Sequence, residues 1–117
     1  MKAKVSTATF TGQSGQKYQF FVYPMNESFK SVGAVYAVGR RYRDNKGGYS
    51  YDLLYVGETS DLATRLENHH KDWDYFARQH ANCICAHLDN DQHSRFTKKE
   101  DLLRHHTSSS YELRKLQ

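Results

Sequence analysis

Proline is almost missing from this 117-residue chain, with Pro24 standing alone, so no polyproline segment or proline-rich linker is present. Cysteine is nearly as scarce. Cys83 and Cys85 are two apart, which puts both on one side of a strand in a poor geometry for a disulfide. A disulfide-built scaffold is therefore excluded, and a reducing, cytoplasmic setting is expected. Ile84 is the only isoleucine and hydrophobic residues make up only 38%, so nine tyrosines, six phenylalanines and one tryptophan must supply much of the buried surface. No apolar run approaches the roughly eighteen residues of a spanning helix, and the N-terminus lacks a signal-like apolar segment, so no membrane partner is expected. Acidic residues are the minority, 13 against 17 Lys and Arg, for a net charge of +4 with seven histidines neutral. The pI near 9.1 favours an anionic partner.

Residues 32–38 and 51–56 are rich in Val, Leu and Tyr, bounded by glycine and polar clusters, and too short for helices, so they read as strands. The stretch between them, from Gly39 to Ser50, contains Asn45, Gly47 and Gly48 and reads as a loop closing an antiparallel hairpin. Side chains alternate along a strand, so Tyr36 lies with Val32, Ala34 and Val38, while Tyr55 lies with Tyr51 and Leu53. After Gly57 the period changes. Thr59 or Ser60 can cap a helix, Asp61 suits its positive end, and Leu62, Leu66 and Trp73 recur at helical spacing. Asp61, Arg65 and His69 sit four apart on a polar edge, where Asp61 and Arg65 could form a surface pair of about 0.2–0.5 kcal/mol.

Elsewhere, residues 4–23 divide at a Gly12, Gln13, Ser14, Gly15 turn into a second hairpin, which Pro24 and Asn26 end. It could extend the central sheet, cover an edge or dimerise; covering an edge is the reading preferred, because an open strand invites aggregation. Residues 82–88 read as a third core strand, Asp89 to Gln92 as a turn, and Thr97 as the start of a helix with Leu102 and Leu103 on its apolar face. A short terminal helix is possible as far as Leu116. The expectation is one small α/β (α+β) domain with a three-stranded mixed central sheet flanked by helices. Residues 1–30 form an N-terminal β-hairpin extension and residues 31–117 the core domain.

The hairpin carrying Ala34, Val35, Tyr36 and Tyr55, Val56, Gly57, followed ten residues after Tyr55 by Arg65 on a helix, resembles the GIY-YIG nuclease family over roughly residues 31–106. Matched positions are Gly33, Tyr36, Tyr55, Gly57, Arg65, His69 and Glu100. The resemblance implies a metal-dependent endonuclease that hydrolyses the phosphodiesters of DNA, duplex or branched. It gives Glu100 one Mg²⁺ or Mn²⁺, Tyr36 the deprotonation of water directly or through a second water, and Tyr55 the orientation of water or phosphate. Arg65 would stabilise developing charge with its planar fork, and His69 would take a proton from Tyr36 or contact phosphate. A phenol has a pKa of about 10, so Tyr36 needs a nearby cation or hydrogen-bond partner to serve as a base.

Several residues have a second reading. Thr97 and Glu100 match a capping box, which would explain the glutamate without a metal. Arg40, Arg41, Arg43 and Lys46 form a basic loop suited to a nucleic-acid backbone or to ordinary solvated surface. His80, Cys83, Cys85 and His87 invite zinc, but the spacing is no known signature, and buried thiols packing as small hydrophobes is the preferred reading. Glu58 stands where some family members have lysine, and Tyr111, Glu112, Leu113 and Arg114 occupy the neighbourhood where many carry an asparagine. Those departures motivate two alternatives: a catalytically silent nucleic-acid-binding module, or a protein-interaction module working through the N-terminal hairpin. With no separate specificity domain, a homodimer or a targeting partner could direct the activity.

Overall fold

Strands Ser6–Thr11 (β1) and Lys17–Pro24 (β2) alternate between covered and open residues, as a sheet with one packed face requires. They are joined by a tight turn in which Gly15 adopts φ +88°. The computed structural model describes residues 5–67 and 72–106. Its remaining elements are strands Ala34–Arg43 (β3) and Tyr49–Thr59 (β4), helices Leu62–Glu67 (α1) and Trp73–Arg78 (α2), strand Cys83–Leu88 (β5) and helix Gln92–His105 (α3).

The sheet has five strands in the order β1-β2-β5-β3-β4, and every neighbouring pair is antiparallel. This corrects the expected three-stranded mixed sheet. The N-terminal hairpin does more than cover an edge: β2 pairs with β5 from Phe21↔Ala86 to Pro24↔Cys83 and so continues the sheet. The backbone groups on that side of β5, which three strands alone would leave open, are satisfied by β2.

The central hairpin is longer than its apolar runs indicate. β3 and β4 stay paired out to Arg43↔Tyr49, so the expected loop shrinks to residues 44–48. Asp44 closes that turn by accepting from the Lys46 and Gly48 N–H groups at 2.8 and 3.0 Å. Arg40, Arg41 and Arg43 are consequently strand residues, and only Lys46 lies in the turn. A register shift between Val38 and Gly39 leaves Leu54 as the extra residue on β4.

The described part of the expected run from Leu62 to Trp73 is α1, and α2 starts at Trp73. Asp61 caps α1, with Oδ1 accepting from the Thr64 N–H at 3.2 Å and Oδ2 from its hydroxyl at 2.9 Å. α3 begins before Thr97: Asp91 is its N-cap and accepts from the Ser94 N–H at 2.7 Å. Thr97 and Glu100 are therefore inside the helix and the capping box does not form.

Register fixes which helix covers which face. Tyr36, Gly57 and Ala86 are cross-strand partners, as are Val35, Glu58 and His87 one position on. Tyr36 receives Arg65 of α1, whereas Glu58 and His87 receive Arg95 and Lys98 of α3. Hence α1 packs on the Tyr36 face and α3 on the opposite face. The sheet curls around α3 until Phe10 of β1 and Tyr51 of β4 meet edge to face, with centroids 5.4 Å apart. Phe20, Val22, Val35, Val56, Leu102 and Leu103 are buried in the core.

Candidate active site

Two strands and a helix start converge on one cluster. Val38 pairs with Tyr55 and Tyr36 with Gly57, so the two tyrosines are diagonal neighbours on one face, with ring centroids 5.8 Å apart. Glycine at 57 is a steric requirement. A Cβ there would lie 2.8 Å from Tyr55 Cε1 and 3.0 Å from both Cζ and the hydroxyl of Tyr36. Phe76 of α2 closes the far side of Tyr55 in an edge-on contact at 6.2 Å.

Arg65 completes the cluster. Its Nε donates to the Tyr36 hydroxyl at 3.0 Å and its Nη2 to the Tyr55 hydroxyl at 2.7 Å. The surface pair with Asp61 does not form, because Asp61 is occupied as the α1 cap. Among the described residues no carboxylate pairs with Arg65. Burial alone would make its charge harder to keep, but the contacts with Tyr36 and Tyr55 outweigh burial and hold the guanidinium pKa above its ordinary value.

Both phenols are fully buried. Burial pushes the Tyr36 phenol well above its usual range, the neighbouring Tyr55 pushes the same way, and Arg65 pulls it down without prevailing. The cation that a tyrosine base would need is therefore present, yet desolvation wins and Tyr36 stays a neutral phenol at neutral pH.

Glu100, also expected at the site, is not brought to this cluster. His69 lies outside the described residues. Glu100 is on α3, on the far side of the sheet, where its carboxylate lies 3.8 Å from Lys99 Nζ. Among the described residues no group of three or more His, Cys, Asp or Glu side chains could hold a metal, and Glu100, the carboxylate expected to bind one, is across the sheet from the phenols. The zinc ligands do not assemble either. His87 has one ring nitrogen 2.9 Å from the Gln19 carbonyl and the other 2.9 Å from Lys98 Nζ, and the buried Cys83 thiol donates to the Gly39 carbonyl.

Two features escaped the sequence. Arg95 is buried against Glu58, Nε to Oε2 2.9 Å, and also donates to the Asp89 carbonyl, tying α3 to β4. Tyr49 stands with Arg41 and Arg43 on one side of the β3–β4 hairpin. Alternation would have shown Tyr49 had the basic stretch been read as strand. No helix among the described residues is long and apolar enough to cross a membrane. Comparison with models of known families, with curated proteins and with solved structures gives no match to the chain.

Proposed function

We propose that the Arg65, Tyr36 and Tyr55 cluster is the phosphate-recognition centre of an endonuclease that hydrolyses nucleic-acid phosphodiesters, DNA being the substrate expected from the sequence. One observation carries this reading: a single guanidinium, unpaired with any described carboxylate, is clamped by two phenols from adjacent strands. A guanidinium has five N–H donors. Two of them orient the fork on the phenols, and the remainder are available to the oxygens of a phosphodiester whose charge grows during displacement. Tyr36 and Tyr55 then act as positioning residues for Arg65, with Tyr36 supplying a neutral hydroxyl rather than a base.

A second reading, a nucleic-acid-binding module without cleavage, is favoured by the position of Glu100 across the sheet. Conversion of supercoiled plasmid, with Mg²⁺ or Mn²⁺ and with EDTA, separates the two. On the nuclease reading, wild type nicks the plasmid and Arg65→Ala does so about 10²–10³-fold more slowly, the usual loss on removing a donor to developing charge. Glu100→Gln nicks like wild type, because its carboxylate is remote from the phenols. Salt-sensitive binding without nicking would establish the silent module instead.

A further inference from the structure

β5 leaves β3 at the Gly39↔Cys83 pair, while β3 and β4 continue together from Arg40↔Asp52 to Arg43↔Tyr49. Those four pairs continue as a two-stranded arm for about 14 Å past the last pair with β5, at roughly 3.4 Å per residue, with Tyr51 at its base packed on Phe10 of β1. Its two faces differ in charge. On one face Arg40 Nη2 holds Asp52 at 2.7 Å and the guanidinium lies 4.3 Å from the Tyr42 ring centroid, so its charge is answered. On the other, the Arg41 guanidinium carbon lies 3.6 Å and that of Arg43 5.4 Å from the centroid of Tyr49. Neither of these arginines meets a carboxylate among the described residues.

The cationic face is built rigidly. The Arg41 N–H donates to Asn82 Oδ1 at 2.7 Å, and its carbonyl accepts from Asn82 Nδ2 at 2.8 Å. Its Nε donates to the Tyr51 hydroxyl at 3.1 Å, which leaves the outer guanidinium nitrogens for a ligand. Tyr49 is 45% exposed, and Lys46 sits in the turn at the tip.

We propose that Arg41, Arg43 and Tyr49 form a binding platform for single-stranded nucleic acid. An unpaired base offers a π-face to stack on the tyrosine or the guanidinium plane, while its flanking phosphates meet the arginines. A duplex offers the phosphates but keeps its base faces stacked on one another, leaving Tyr49 without a partner. The platform stands on the arm alone and requires neither the buried phenols nor cleavage.

Fluorescence anisotropy in EDTA tests it, using labelled dT and rU oligomers of about 15 nucleotides and a duplex of equal length. Wild type binds at least one single strand about tenfold or more tighter than the duplex; which oligomer it prefers identifies the source. Tyr49→Ala weakens that binding about tenfold, within the range for loss of one base stack. Arg43→Ala flattens the slope of log affinity against log salt by about 0.7, the loss of one phosphate contact. Lys17→Ala removes the same charge at the opposite end of the sheet and changes neither quantity. Circular dichroism verifies that each variant is folded. The proposal is overturned if the duplex binds as tightly as the single strands, if no oligomer binds, if folded Tyr49→Ala binds like wild type, or if Lys17→Ala matches Arg43→Ala. A protein that cuts no plasmid but passes this test loses the nuclease reading and keeps the platform.

Discussion

A buried phenol and a half-buried guanidinium are each costly to desolvate, and in this cluster they answer one another. The convergence of Tyr36, Tyr55 and Arg65 was legible only through the resemblance; strand parity alone put Tyr55 with Tyr51 and Leu53, whereas the extra residue Leu54 turns Tyr51 to the opposite face, where it meets Phe10. Sealing of the phenols was not legible, since it depends on Phe76 arriving from a separate helix. Gly57 gives the first prediction at this scale. Gly57→Ala places a methyl against both tyrosine rings and lowers stability by about 1–3 kcal/mol in urea denaturation, the range for overpacking a tight core. Unchanged stability would show that the rings are free to move apart. Arg65→Lys keeps the charge but cannot reach both hydroxyls with a planar fork, so on the proposed function cleavage falls by more than about tenfold. Equal rates would show that charge alone suffices.

Elements were legible where hydrophobic periodicity marks them and blurred where polar residues carry the signal. β3 and β4 were recognised from their apolar halves, but their outer halves are held by Arg41 reaching across to Tyr49 and Tyr51, which a hydrophobic pattern does not register. α3 was placed too late because Asp91, its cap, reads equally well as a turn residue. Asp91→Ala therefore lowers the unfolding free energy by about 1 kcal/mol, whereas Thr97→Ala, on the exposed side of the helix, has little effect; the reverse ranking would restore a helix start at Thr97. The link from α3 to β4 is testable in the same way. Glu58→Ala leaves the Arg95 guanidinium buried without its carboxylate and destabilises the fold by about 3 kcal/mol. A change below about 0.5 kcal/mol would place the pair among ordinary surface contacts.

Across the whole molecule, the first quarter of the sequence was hardest to place, since nothing local in a hairpin says which strand it will join. Pairing with β5 makes it part of one antiparallel sheet, and the sheet's curl lets the turn at Ser14 reach α3. Asp101 accepts from the Ser14 N–H and hydroxyl at 2.8 and 2.7 Å and from the Tyr18 hydroxyl at 2.7 Å. The N-terminal half of α3 is tied to the end of β5 through Asp89. Hydrogen bonds from Lys98 and then from Ser94 hold the Asp89 carboxyl well below the usual carboxylate range. A depressed folded-state pKa contributes stability that is fully present above the unfolded value of about 4 and is lost as pH falls through the folded value. Melting temperature should therefore fall less steeply below about pH 4 in Asp89→Asn than in wild type; parallel curves would remove Asp89 from the acid response.

The most direct measurement for the whole account is the single-turnover rate of DNA cleavage, with Mg²⁺ or Mn²⁺ supplied, by wild type and by folded Arg65→Ala. The proposed phosphate-recognition centre predicts measurable cleavage by wild type and a fall of about 10²–10³-fold on losing the guanidinium. Equal rates for the two proteins would contradict it, because the clamp of Tyr36 and Tyr55 on Arg65 would then be a packing device and the chemistry would lie elsewhere.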